Sequence, residues 1–157
     1  MARIKRTEYL VKDIANYFIY LSNKTNIDND ITEGITNLKL QKILYFAQAA
    51  YLTLNDQKLF SENIEAWQYG PVIPSVYRKY KKYGNQPIPN TNKKISFDKD
   101  LCIFLDGIWE LFGKYSAVEL MNITHKHKPC KDAYSNKTNN IISHEVLRDY
   151  YKGFFTY

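Results

Sequence analysis

Residues 64–83 read IEAWQYGPVIPSVYRKYKKY, and the change of pattern inside this stretch decides how the rest of the chain is parsed. Ile64, Ala66 and Gln68 alternate with Glu65, Trp67 and Tyr69, a period of two that predicts a short edge strand or extended arm. Gly70-Pro71 ends it, because glycine accepts a positive φ and proline fixes its own. Pro74 then falls at the first turn of a helix, where a missing N–H costs nothing. The run SVYRKYKKY is helical in pattern and stops at Gly84, with Lys81 and Lys82 in the last turn, where cations suit the helix dipole. Val76, Tyr80 and Tyr83 fall on one side of that helix and Arg78, Lys79, Lys81 and Lys82 mostly on the other, so it is amphipathic and basic.

Upstream, Thr36 is an N-cap for NLKLQKILYFAQAAYLTL, in which Leu40, Ile43, Leu44, Ala47, Ala50, Tyr51 and Leu54 form one broad stripe. Its length corresponds to roughly five turns, and so wide an apolar face predicts a central core helix. Lys39, Gln41, Lys42 and Gln48 interrupt it, and Gln41 and Gln48 are expected on a solvated face. An earlier helix begins at Thr7 as N-cap and carries Leu10, Ile14, Tyr17, Phe18 and Leu21 at helical spacing, with the polar run Asn23 to Gly34 as a loop. Asn55 to Asn63 is a turn-rich connector in which Leu59 and Phe60 tuck onto the core.

Downstream, Asn85 to Lys94 is a polar loop with two prolines. Helical periodicity resumes over Asp98 to Lys114 through Leu101, Phe104, Leu105, Ile108, Leu111 and Phe112, with Ser96 as the cap and Gly113 closing it. Ser116 and Glu119 form a capping-box signature, and Pro129 halts or bends that helix. Lys131 to Tyr134 adds at most a single turn, SNKTNN is a loop, and Ile142-Ser143 open a last helix that ends at Gly153. The expected fold is mainly α, a compact bundle of about five to six helices with a short β-strand or hairpin near residues 58–72, in one domain spanning 1–157.

Composition bounds the function. At 157 residues with 45% hydrophobic and 15% aromatic content, the chain is long enough to bury a core without staples. The 22 Lys and Arg against 16 Asp and Glu give +6, which fits an acidic partner, either nucleic acid or acidic protein, and equally a soluble surface that is merely basic. Cys102 and Cys130 form no CxxC pair and are expected as free thiols in a reduced compartment. No apolar run approaches the roughly 18 residues of a membrane span, and the basic start lacks a secretory apolar region, so a cytoplasmic location without membrane contact is expected.

Chemistry-bearing patterns are few. His125, His127 and Cys130 form an HxHxxC spacing, but the second ligand pair of a structural zinc site is missing, so no metal is expected. His125, near a helix end, is expected to bond a backbone carbonyl or pack under the Pro129 turn. Cys130 with either histidine lacks an orienting acid, and no phosphate-cradling or hydrolase motif occurs, so neither catalysis nor a cofactor is expected. Arg78 to Lys82 combines cations with tyrosines able to stack on bases, which keeps a nucleic-acid-binding phage or prophage regulator as the alternative function.

Three segments taken together carry a resemblance: TNLKLQKILYFAQAAYL at 36–52, IEAWQYGPVIPSVYRKYKKYG at 64–84 and GKYSAVELMNITHKHKPCKDAY at 113–134. In this order they resemble the Panacea domain, the SocA-like antitoxin and GepA-like phage-associated family. One departure is Cys130, which stands where that family has tryptophan. The resemblance implies an antitoxin encoded beside a toxin, often on a prophage, that neutralises it by direct protein–protein contact. The partner is then a cognate toxin, and the residues expected to meet it are Trp67, Tyr69, Tyr77, Arg78, Tyr80 and Lys81; Tyr, Trp and Arg are the types on which interfaces rely most.

Overall fold

The computed structural model describes residues 8–28, 34–90 and 95–156, and the helix most strongly marked in the sequence lies at its centre. A first helix, α1 (Val11–Asp28), precedes α2 (Asn37–Asn55). α1 overruns the expected loop start at Asn23, whose side-chain amide donates to the Ile19 carbonyl at 2.9 Å and so stays within the helix. Thr7, the expected cap, lies outside the described residues. α2 opens where the Thr36 hydroxyl accepts from the Lys39 N–H at 3.2 Å.

Every residue from Leu40 to Leu52 is buried. α2 is flanked by α1 on one side and, further along the chain, by four later helices and a hairpin, and a helix covered on all sides leaves no solvated face. Gln41 and Gln48, expected in solvent, are therefore fully buried. Both meet the condition for burial, a partner for each polar end. Gln48 accepts from the Leu59 N–H and donates to the Phe60 carbonyl, each at 2.7 Å, which pins the connector after α2.

The stretch beginning at Ile64 is a hairpin and not a strand stopped by proline. β1 (Ile64–Trp67) and β2 (Gly70–Val72) pair antiparallel with Trp67 opposite Gly70 and Glu65 opposite Val72, so Gln68 and Tyr69 form a two-residue loop. Gly70 has φ +104°, the conformation that lets the chain reverse there. After the hairpin come α3 (Pro74–Tyr80) and a tighter 3-10 turn over Lys81–Tyr83, which together fill the span expected to be one helix. The amphipathic α4 (Lys99–Phe112) follows, capped by the Asp98 carboxylate on the Leu101 N–H at 3.2 Å and not by Ser96.

α5 (Ala117–Lys126) carries the expected capping box in full: Ser116 accepts from the Glu119 N–H, and the Glu119 carboxylate accepts from the Ser116 N–H. His127 is extended, and Pro129 starts α6 (Lys128–Ser135), a helix of eight residues where at most one turn was expected. β3 (Ile141–Ile142) pairs with β1 on the side away from β2, giving the order β2-β1-β3. β1 is thus the middle strand and not an edge. Ser143 caps α7 (His144–Tyr151), which lies along α2.

The mainly helical fold with a short hairpin is as expected, with seven α-helices among the described residues. One apolar cluster runs from Tyr9 to Tyr151. Its aromatic centre stacks Phe46 on Phe112 with ring centroids 4.2 Å apart, and the hydroxyls of Tyr45 and Tyr151 meet at 2.8 Å. No helix of the described residues is long and apolar enough to cross a membrane.

Candidate protein-binding groove

Between the hairpin, α3 and the first turns of α2 lies a groove with a cavity volume of about 270 Å³. Its walls are Trp67 and Tyr69 from the hairpin, Tyr77 from α3, and Val72. The Trp67 and Tyr77 rings meet edge to face with centroids 5.1 Å apart, a geometry that aromatic quadrupoles favour. The Trp67 indole N–H donates to the Glu65 carboxylate at 3.1 Å, fixing the ring. Tyr69, at the tip of the hairpin, is 57% exposed. Lys81 and the Gly84-Asn85 turn complete the rim.

A chain of buried amides holds the groove in shape. The Ile73 N–H donates to Gln41 Oε1 at 2.9 Å, Gln41 Nε2 donates to Asn37 Oδ1 at 2.9 Å, and Asn37 Nδ2 donates to the Tyr77 carbonyl at 3.1 Å. Two side chains one turn apart on α2 thus fasten the start and the body of α3. The groove is built on rigid elements, which keeps the entropy lost on binding small. Asn37 and Gln41 are the residues that sequence reading missed. Their i, i+4 spacing was visible, but their partners are backbone groups that pattern alone does not bring near.

Of the six residues expected to meet a partner, Trp67, Tyr69, Tyr77 and Lys81 line this groove together. Arg78 is exposed and follows Tyr77 in α3, but is not among the lining residues. Tyr80 does not line the groove: it is 3% exposed, and its hydroxyl donates to Asn16 Oδ1 at 3.1 Å. Burial raises its pKa, with the Tyr83 phenol adding to the effect. The apolar face of the short helix that carries Val76 carries Tyr80 too, so it belongs to the core.

Arg78, Lys79, Lys81 and Lys82 are exposed and form no ion pair among the described residues, where the bridges are Lys128–Asp132, Arg148–Asp56 and Arg148–Asp149. Lys79 and Lys82 lie over the Tyr80 and Tyr83 rings at 5.5 and 5.2 Å.

Beneath the hairpin is a second concentration of polar groups. Lys42 is 0% exposed, and its ammonium donates to the Pro71 carbonyl at 3.4 Å. Burial lowers its pKa to about 7, opposed weakly by the neighbouring Cys130. Burial likewise pushes the Cys130 thiol up to about 11, with Lys42 pulling the other way. A Cβ at Gly70 would stand 2.8 Å from Lys42 Cε and 3.2 Å from Thr124 Oγ1, so the hairpin closes directly onto these side chains. A buried thiol with a raised pKa is a poor nucleophile.

His125 is exposed, and it is His127 that packs inward, with Nδ1 2.8 Å from the Tyr151 hydroxyl and its pKa lowered by burial. Among the described residues no three His, Cys, Asp or Glu side chains come together as a metal site would require.

The family described as Antitoxin SocA-like, Panacea domain, matches residues 40–130. The chain belongs to the SocA-like Panacea family. The matched span of this Panacea chain runs from α2 through the hairpin, α3, α4 and α5 into α6, and it contains every groove residue except Asn37 and Leu38. The chain is similar to Antitoxin SocA of Caulobacter vibrioides (strain NA1000 / CB15N), 32% identical over 103 residues, a match covering 58% of this chain and 55% of that protein. The Panacea chain thus spans little more than half the length of that relative. No solved structure matches it.

Proposed function

We propose that this protein is the antitoxin of a toxin–antitoxin pair and neutralises a protein toxin by direct, non-enzymatic contact. Membership of an antitoxin family carries the reading, and the groove supports it physically. The exposed Tyr69 with the half-buried Trp67 and Tyr77 on a rigid support, and the exposed Arg78 on the same helix as Tyr77, have the composition of an interface hot spot. The chemistry-bearing side chains point the same way, since the Cys130 thiol is buried and protonated near neutral pH and the Lys42 amine is sealed beneath the hairpin.

The test is expression of each reading frame adjacent to this gene, alone and with the protein. One frame is expected to arrest growth alone and to be relieved by co-expression, with the two proteins co-purifying. Relief is expected to fail when Tyr77 and Arg78 are changed together in a protein that still folds. Growth arrest by no neighbouring frame, or relief without co-purification, overturns the proposal.

The unpaired cations of α3 and the following turn favour a second reading, a nucleic-acid-binding regulator. It predicts a gel shift at low salt whose affinity falls steeply with ionic strength. A shift that is absent at low salt or insensitive to salt removes it.

A further inference from the structure

We propose that the groove of Trp67 receives an extended acidic stretch of the partner polypeptide, with one aromatic or large aliphatic side chain seated between Trp67, Tyr69 and Tyr77 and flanking carboxylates on Lys81 and Arg78. This rests on the reading above that the partner is a protein and adds the chemistry of the segment that docks. Size comes first. At about 270 Å³ the cavity falls just short of the roughly 300–1,000 Å³ range of small-molecule sites and suits a single large side chain.

Polarity decides what kind of side chain it is. The walls are aromatic and aliphatic, and the two amides at the floor, Asn37 and Gln41, are engaged with each other and with the Tyr77 and Ile73 backbone. A polar anchor would give up water and find those partners taken, which disfavours it. An apolar anchor loses nothing and buries its surface against three rings.

Charge then fixes the flanks. A neighbouring groove on the other side of α3, of about 280 Å³, has Glu62 in its lining with Lys12 and Lys79, so it carries a carboxylate of its own. The lining of the Trp67 groove has Lys81 and no carboxylate, and Glu65 of the same strand is turned to the Trp67 indole N–H. Adding the exposed Arg78, the complement is an acidic segment. A nucleic-acid strand fits less well, because it needs a cationic groove that tracks successive phosphates and rings that stack base after base. Here Trp67 and Tyr77 meet edge to face.

The experiment titrates the folded protein with a synthetic peptide of one phenylalanine flanked by glutamates, following the indole N–H signal of Trp67 by NMR, with Trp67→Phe to assign it. Two control peptides replace the phenylalanine by alanine or the glutamates by lysines. The glutamate–phenylalanine peptide is expected to shift the Trp67 signal saturably and each control to bind at least about tenfold more weakly. Arg78→Glu with Lys81→Glu, both at exposed positions, is expected to weaken the acidic peptide about tenfold with an unchanged circular dichroism spectrum.

An unmoved Trp67 signal at millimolar peptide, or equal binding of the lysine peptide, overturns the proposal. So does oligothymidine that shifts the same signal more strongly than the peptide, which assigns the groove to nucleic acid. The growth assay separates this from failure of the antitoxin reading. Wild-type relief that survives Tyr69→Ala with Arg78→Glu and Lys81→Glu refutes the groove alone, whereas the lack of any toxin for the wild type refutes the antitoxin reading without touching the peptide result.

Discussion

Replacing Lys42 by methionine isolates the most unusual electrostatic feature of the fold, an amine buried at the centre of the molecule with its pKa lowered to about 7. In the unfolded chain this amine titrates near its ordinary 10.5. Below pH 7 both states hold the proton, and the folded state bears the full penalty of a buried charge. Between pH 7 and 10.5 only the unfolded chain holds it, so stability rises with pH by about 1.4 kcal/mol per unit. Above 10.5 neither state holds it, and no further gain follows. Cys130 works in the opposite sense: its thiol, raised from 9.0 to about 11, contributes stability that is present below pH 9 and lost as pH climbs to 11. The interval from pH 7 to 9 is where Lys42 acts without that opposition, and there the gain is about 2–3 kcal/mol. Urea unfolding at pH 7, 8 and 9 is expected to show this rise in the wild type and a flat profile in Lys42→Met, with the variant at least as stable as the wild type at pH 7 because an apolar chain of similar volume carries no desolvation penalty. Parallel profiles for the two proteins would refute the reasoning, for the rise would then belong to other groups.

Three further outcomes follow from the packing. Gly70→Ala places a methyl group 2.8 Å from Lys42 Cε at φ +104°, and is expected to lower unfolding free energy by about 2–4 kcal/mol; in a Lys42→Ala background the loss should shrink, and an equal loss in both backgrounds assigns all of it to the backbone. Gln48→Leu leaves the Leu59 N–H and Phe60 carbonyl without their side-chain partner, a loss of about 2–4 kcal/mol in denaturant unfolding. Tyr80→Phe removes the bond to the buried Asn16 and should cost about 1–3 kcal/mol, whereas Tyr69→Ala at the exposed hairpin tip should stay within about 0.5 kcal/mol; the reverse order in thermal unfolding would contradict the assignment of these tyrosines to core and surface.

What the sequence disclosed divides along local and non-local lines. The Thr36 cap, the capping box at Ser116 and Glu119 and the Ser143 cap were legible because each satisfies backbone groups within three residues. Proline at 74 and glycine at 84 likewise bounded the basic helix and its closing turn. β3 was not legible, since two residues carry no periodicity and its pairing with Ile64 and Glu65 crosses nearly half the chain. For the same reason Gln41 and Gln48 looked like solvent-facing breaks in an apolar stripe. Side-chain chemistry says that a glutamine needs partners, but whether water or a distant backbone supplies them depends on which elements surround the helix. The groove divides similarly. Aromatic and basic residue types in the stretch around Trp67 identified four of its lining residues, while the inward turn of Tyr80 followed from the burial of the face it shares with Val76.

The pairing of β1 with β3 has a consequence for how such proteins diversify. The matched span ends at Cys130, yet the middle strand of the sheet receives its second partner from Ile141–Ile142, and the central helix is covered along one flank by α7. A chimera that exchanged residues beyond 135 between two relatives would therefore transplant part of the interior along with the tail, and Leu147 and Tyr151 would have to fit a foreign α2. Substitutions near the C-terminus are expected to cost little at outward positions such as Val146 and Phe154 and much at the buried Leu147 and Tyr151.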